Sequence, residues 1–191
     1  MKLHLTQFNV TSRWTIVAFL AFVFSTFNGS GAALENRSIP YSLRTWQTDE
    51  GLPQNSVHAI AQTADGFLWV GTEDGLARFD GIRFTLFHDN DTPQLRHVAI
   101  TSLLATSDGS LWVGAVGSGL TRLKDGRSEH WSKSNGLPDN NVRCMTLSSN
   151  GSLWIGTDQG LVRMSNGGFQ KFDPTTGSAD LFVSGICEDI K

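Results

Sequence analysis

Four histidines, His58, His88, His97 and His130, are the side chains beyond residue 33 best suited to acid–base or metal chemistry. They form no HxH or HExxH spacing, the arrangements that bring two imidazoles to one metal ion. Each reads as a strand or loop residue. Ser118 lies in GSG, not in the GxSxG turn that exposes a hydrolase nucleophile. The glycines of GAVGSG, 114–119, run in the wrong order for a phosphate cradle and fit a turn. Asp65, Asp108 and Asn150 have the chemistry for calcium or for paired acids. Each precedes a glycine at the same point of a repeated phrase, which marks hairpin residues. No catalytic residue, metal ligand or cofactor site is expected.

The repeated phrase is the strongest signal in the chain. DGFLWVGTEDGLARF (65–79) returns as DGSLWVGAVGSGLTRL (108–123) and NGSLWIGTDQGLVRM (150–164). Trp69, Trp112 and Trp154 are 43 and 42 residues apart, a period that means stacked supersecondary units rather than one core. Val57, Ile100 and Val142 open apolar runs eight residues before each turn pair, and Trp46, Phe87, Trp131 and Phe172 recur downstream. Each unit reads as four short strands, VHAI-like, LWVGT-like, GLARF-like and an aromatic one. Asp65-Gly66 and its equivalents divide the first two, as short hairpins. Asp80-Gly81, Asp125-Gly126 and Asn166-Gly167 divide the last two. Four antiparallel strands in about 40–45 residues describe a β-propeller blade. Gly71, Gly114 and Gly156 predict a bulge or a close backbone approach. An amphipathic helix fails, because no unit holds ten residues free of glycine, and a β-sandwich would not need this register.

The expected fold is therefore all-β, a propeller with three complete blades and a fourth beginning at Val183. A closed ring takes about four to eight blades, so the chain is expected to be the front end of something longer. Tyr41–Trp46 fits the outermost strand of a closing blade; it ends a lead-in over 34–45 and enters the repeats of 46–191.

Residues 1–33 stand apart. Lys2 and Arg13 precede Trp14–Phe27, fourteen residues without a charge, and NGSGAA follows. That is the pattern of a secretory signal; an uncleaved anchor is the alternative, although a span needs about 20 apolar residues. With a net charge of -3 and no basic patch, nucleic acid is excluded as a partner. Cys144 and Cys187 could oxidise in an exported protein, but Cys144 replaces Ala59 in an apolar strand, where cysteine acts as a small hydrophobe.

Residues 48–87 contain GLPxNxV, then DGxLWxGT, then GLxRxD and a closing aromatic strand. This pattern resembles the two-component regulator propeller repeats, and the likeness runs from Trp46 to Lys191. Two departures occur: TPQLRHVAI stands where GLPxNxV is expected in the second unit, and Ala115 replaces the threonine seen at 72 and 157. The resemblance implies the periplasmic input region of a bacterial signalling protein tethered to the inner membrane. It further implies a histidine kinase or diguanylate cyclase output outside this chain, a carbohydrate or other small ligand, and a propeller or sensor-dimer partner.

In a blade, the loops leading into strand one and the turns between strands two and three share one end. Asn55, Glu73, Arg96, His97, Asn140 and Asp158 would therefore face one rim and offer donors and acceptors to a ligand. The competing reading is that the Asn of GLPxN holds backbone. Two other functions stay open. A lyase or glycosidase would need rim acids or histidines that break the repeat, as only 88–99 does. A protein-interaction scaffold would need neither.

Overall fold

The computed structural model describes residues 42–87, 92–165, 167–172 and 182–189. Residues 1–33, where a secretory signal is expected, most of the expected lead-in, His88 and Asn166 lie outside them. The described residues from Arg44 onward belong to one compact unit.

Every unit of the repeat forms a four-stranded antiparallel meander. The first blade is β1 (Val57–Gln62), β2 (Leu68–Thr72), β3 (Gly75–Phe79) and β4 (Phe84–Leu86). The second is β5 (Ile100–Ala105), β6 (Leu111–Ala115), β7 (Gly119–Lys124) and β8 (Arg127–Trp131). The third is β9 (Val142–Leu147), β10 (Leu153–Thr157), β11 (Gly160–Ser165) and β12 (Gly168–Phe172). Helical structure among the described residues is limited to 3-10 turns of three residues each.

The first hairpin of each blade is longer than its Asp-Gly pair alone implies. Thr63 to Phe67 connects β1 to β2, and the Thr63 hydroxyl donates to Asp65 at 2.5 Å while Gly66 N donates to the Thr63 carbonyl. Thr106–Asp108 and Ser148–Asn150 repeat this geometry. The aspartate thus closes a five-residue loop from inside it. Asp125-Gly126 does make a two-residue turn, both residues having positive φ (49° and 70°), as a tight hairpin requires.

The cores lie between blades. Trp69, Leu76, Ile100, Leu111 and Val113 pack into one cluster across the first two blades. Trp112, Leu120, Val142, Leu153 and Ile155 pack into the next. Glycine makes the close approach. A Cβ on Gly71 would lie 2.6 Å from Ile100 Cγ2, and one on Gly114 would lie 2.6 Å from Val142 Cγ1. Residues 182–189 form no strand, yet Val183 takes the equivalent place over Gly156 and its N–H donates to the Thr157 carbonyl. Cys144 pairs with Gly156 as Ala59 pairs with Gly71, and both cysteines are free thiols.

Residues 42–47 likewise form no strand, but Trp46 repeats a contact found deeper in the chain. Its ring meets Phe84 edge-on, at 6.1 Å and 85°. Trp131, at the end of β8, meets Phe169 of the next blade at 6.1 Å and 80°. Both pairs are 38 residues apart in sequence. The lead-in therefore presents Trp46 to the first blade as an outer strand presents its aromatic to the following blade.

Candidate functional site

The rim is assembled from the loops leading into β1, β5 and β9 and from the β2–β3, β6–β7 and β10–β11 turns. In the first loop a 3-10 turn at Thr48–Glu50 ends on Gly51, whose φ of 101° a side chain would disfavour. Asn55 Oδ1 accepts from Thr48 N at 3.0 Å. In the third loop the turn at Lys133–Asn135 is tied the same way, Asn140 Oδ1 accepting from Lys133 N at 2.6 Å. Asn55 and Asn140 are thus engaged in holding backbone. The divergent second loop keeps the one apolar element that matters. Leu95 is buried five residues before Ile100, as Leu52 and Leu137 are buried five before Val57 and Val142.

A bulge recurs at the start of the inner strand in every blade. The pairing slips between Val57 and Ala59, between Ile100 and Ser102, and between Val142 and Cys144. His58, Thr101 and Arg143 are the extra residues, and a bulge re-aims its residue away from the ladder. His58 Nε2 lies 2.5 Å from Glu73 Oε2. Arg143 grips Asp158 in bidentate fashion, Nε to Oδ1 at 2.6 Å and Nη2 to Oδ2 at 2.9 Å. The Arg143 hydrogen bonds hold the Asp158 carboxyl below its ordinary range against the opposing effect of burial, with Asn141 adding to the shift. The Thr101 hydroxyl donates to the carbonyls of Gly114 and Val142, tying two blades together.

The Ala115 substitution is answered by the next blade. Thr72 and Thr157 accept from the amides of Asp74 and Gln159 within their own turns. Ala115 has no hydroxyl, and the corresponding Gly117 amide donates instead to Asn141 Oδ1 at 2.7 Å. Asn141 Nδ2 donates to Asp158, so one side chain joins the second blade's turn to the third blade's ion pair.

Of the six residues expected at the rim, Arg96 and His97 come together. Gly75 bridges to Arg96, and His97 Nδ1 lies 3.0 Å from Asp74 Oδ1, with His97 itself at a φ of 52°. Glu73 is in contact with His58, and Asp158 is ion-paired with Arg143, each within its own blade. Arg96, His97 and Asp74 line a small cavity of about 60 Å³ with Pro53 and Leu95. Larger clefts lie between blades at the opposite end. One of about 580 Å³ is lined by Asp108, Trp112, Arg122, Trp131 and Met164, and one of about 450 Å³ by Trp69, Arg78, Phe87 and Lys124. Asp108 is itself engaged there. The Thr106 hydroxyl foremost, then Lys124 and Ser110, hold its carboxyl well below the usual range, and Arg122 pairs with it at 2.9 Å.

His58, Arg143 and Asn141 were missed as site residues. The signal for the first two was present: VHAI, ITSL and VRCM each place a polar residue at the second station of the run.

The profile of the family described as two component regulator propeller matches residues 51–74 and 136–159. Each match runs from a lead-in loop through two strands to the turn beyond. Two segments of the chain, one in the first blade and one in the third, thus match the two component regulator propeller repeat. The chain is similar to Histidine kinase P4 from Formosa agariphila, 37% identical over 70 residues, which is 36% of this chain and 5% of that protein. Among solved structures, the extracellular domain of a hybrid two component system from B. thetaiotaomicron is 26% identical with a TM-score of 0.59. That likeness covers 72% of this chain and 19% of the other. A second such domain from the same organism shares the fold, at 24% identity and a TM-score of 0.62, over 72% of this chain and 21% of its own. The chain thus spans about a fifth or less of these relatives.

Proposed function

We propose that this chain is the exported, ligand-sensing propeller of a bacterial membrane signalling protein, with the rim as its receiving surface. The observation that carries the reading is where the family match falls. Residues 51–74 contain the His58–Glu73 pair, and residues 136–159 contain the Arg143–Asp158 pair. Similarity to extracellular domains of hybrid two component systems supports export. Similarity to a histidine kinase supports a signalling output outside these residues. Binding is favoured over catalysis because the similar extracellular domain belongs to a two component system. A carbohydrate or another small polar ligand suits a rim that carries carboxylates, imidazoles and a guanidinium.

Thermal unfolding and calorimetric titration against a panel of oligosaccharides test the ligand. At least one member should raise the Tm, and Glu73→Gln or His97→Ala should abolish that rise while leaving the unliganded Tm in place. A panel without response at millimolar concentration sinks the sensing reading and favours an interaction scaffold. Export is tested by sequencing the amino terminus of envelope-fraction protein. The expected start is near residue 33, and an intact Met1 on cytoplasmic protein contradicts it.

A further inference from the structure

We propose that the cleft between the first and second blades, at the end opposite the rim, binds a small organic carboxylate with an apolar ring. Its volume of about 450 Å³ accommodates a ligand of one or two rings. Trp69 and Phe87 of the first blade and Leu111 and Leu123 of the second supply apolar wall. Arg78 comes from the first blade, and Lys124 and Arg127 come from the second.

The next junction holds the same kind of cleft with different charges. There Arg122 is spent on Asp108 at 2.9 Å and on Glu129 at 3.4 Å, and the facing blade offers Ser165 and Gly167. At the first junction the cross-strand partner of Arg78 is Thr85, where Arg122 has Glu129. Asp65 is occupied by the Thr63 hydroxyl and the Phe67 amide. Arg78 stacks instead over Phe67, its Cζ 4.3 Å from the ring centroid, and meets no carboxylate among the described residues. Stacking uses the flat face of a guanidinium and leaves its N–H edge open to a carboxylate.

The second blade adds an independent sign. Lys124 and Arg127 are cross-strand partners on either side of the Asp125-Gly126 turn. Like charges so placed repel each other. The third blade has Ser165 opposite Gly168 at that station. Lys124 is held by Asp108 at 3.1 Å, and Arg127 has no ion pair among the described residues. With Asp65 and Asp125 also lining the cleft, three cations face two carboxylates. At the second junction one cation, Arg122, faces two, Asp108 and Glu129. A ligand carboxylate neutralises the surplus positive charge in the first cleft, and a ring attached to it covers the apolar wall.

Calorimetric titration of the full chain with 2-naphthoate tests this. The expected Kd is below about 1 mM. Arg78→Gln and Arg127→Gln should each weaken binding about tenfold, and Arg78→Lys should keep part of the affinity. Arg163→Gln removes the equivalent arginine of the third blade and should bind as the parent does. Glu73→Gln should also bind as the parent does, so the outcome is independent of what the rim receives. The uncharged analogue 2-naphthalenemethanol should bind about tenfold more weakly or worse. The unliganded Tm of each variant reports an intact fold, and Arg127→Gln decides the matter if Arg78→Gln does not fold. The proposal is overturned if 2-naphthoate shows no binding up to its solubility limit, or if both glutamine variants keep the parent affinity. Equal binding of the uncharged analogue would make the cleft an apolar groove only. Glucuronate binding where 2-naphthoate does not would overturn the apolar ring.

Discussion

Ile100 lies in a notch that exists only because residue 71 is glycine: its Cγ2 sits 2.6 Å from where a Cβ would be. The methyl-bearing residue and the missing side chain belong to different blades, so the contact sets the distance between them. Interiors packed at this density respond to a single methyl.

Gly114→Ala is expected to destabilise the fold by about 1–3 kcal/mol through overpacking against Val142. Combining it with Val142→Ala should recover part of that loss, since the two share one space. Urea denaturation of the four members of the cycle measures the coupling, and strict additivity would contradict the notch.

Removing the Arg143 guanidinium by Arg143→Ala should cost on the order of 1 kcal/mol at neutral pH. Asp158 has an ordinary value of 3.8, and folding lowers it. Its contribution is therefore complete above that value and is lost as pH falls toward the lower folded one. Asp158→Asn should be less stable than the parent at pH 7, with a shallower decline below about pH 4. Chemical denaturation at a series of pH values gives both quantities.

Asn140→Ala should lower stability by about 1 kcal/mol, because the Lys133 amide loses its acceptor at the start of a 3-10 turn. Asn140→Asp retains an oxygen and should keep most of that stability. If both substitutions leave the midpoint unchanged while ligand affinity falls, Asn140 belongs to the binding surface instead.

A protein spanning 34–191 should self-associate, since Val57 and Ile60 are exposed on one face and Phe172 stands exposed at the last outer strand. Sedimentation should show an average mass that rises with concentration and falls in Ile60→Lys. A dilution-insensitive monomer with a sharp melting transition would show that three blades suffice.

The strands were legible because turn pairs at fixed places and a 42–43 residue period both survive in linear sequence. Gly71, Gly114 and Gly156 were likewise readable as points of close approach. The length of the first hairpin was not, because Thr63 closes it through a side chain that resembles any other polar loop residue. Nor could the roles of Asn55 and Asn140 be settled without seeing their 3-10 turns. The rim pairs escaped for a different reason. His58 and Glu73 are 15 residues apart, and only the bulge brings them together. A slip of one residue in a ladder leaves no composition or period behind.

That slip separates architecture from chemistry. The residue at the bulge has no partner opposite it in the ladder, so no cross-strand neighbour fixes its identity. One station accordingly carries an imidazole at 58, a hydroxyl at 101 and a guanidinium at 143 on frames of the same register. A protein built this way can change the lettering of its mouth one blade at a time, with the walls left standing.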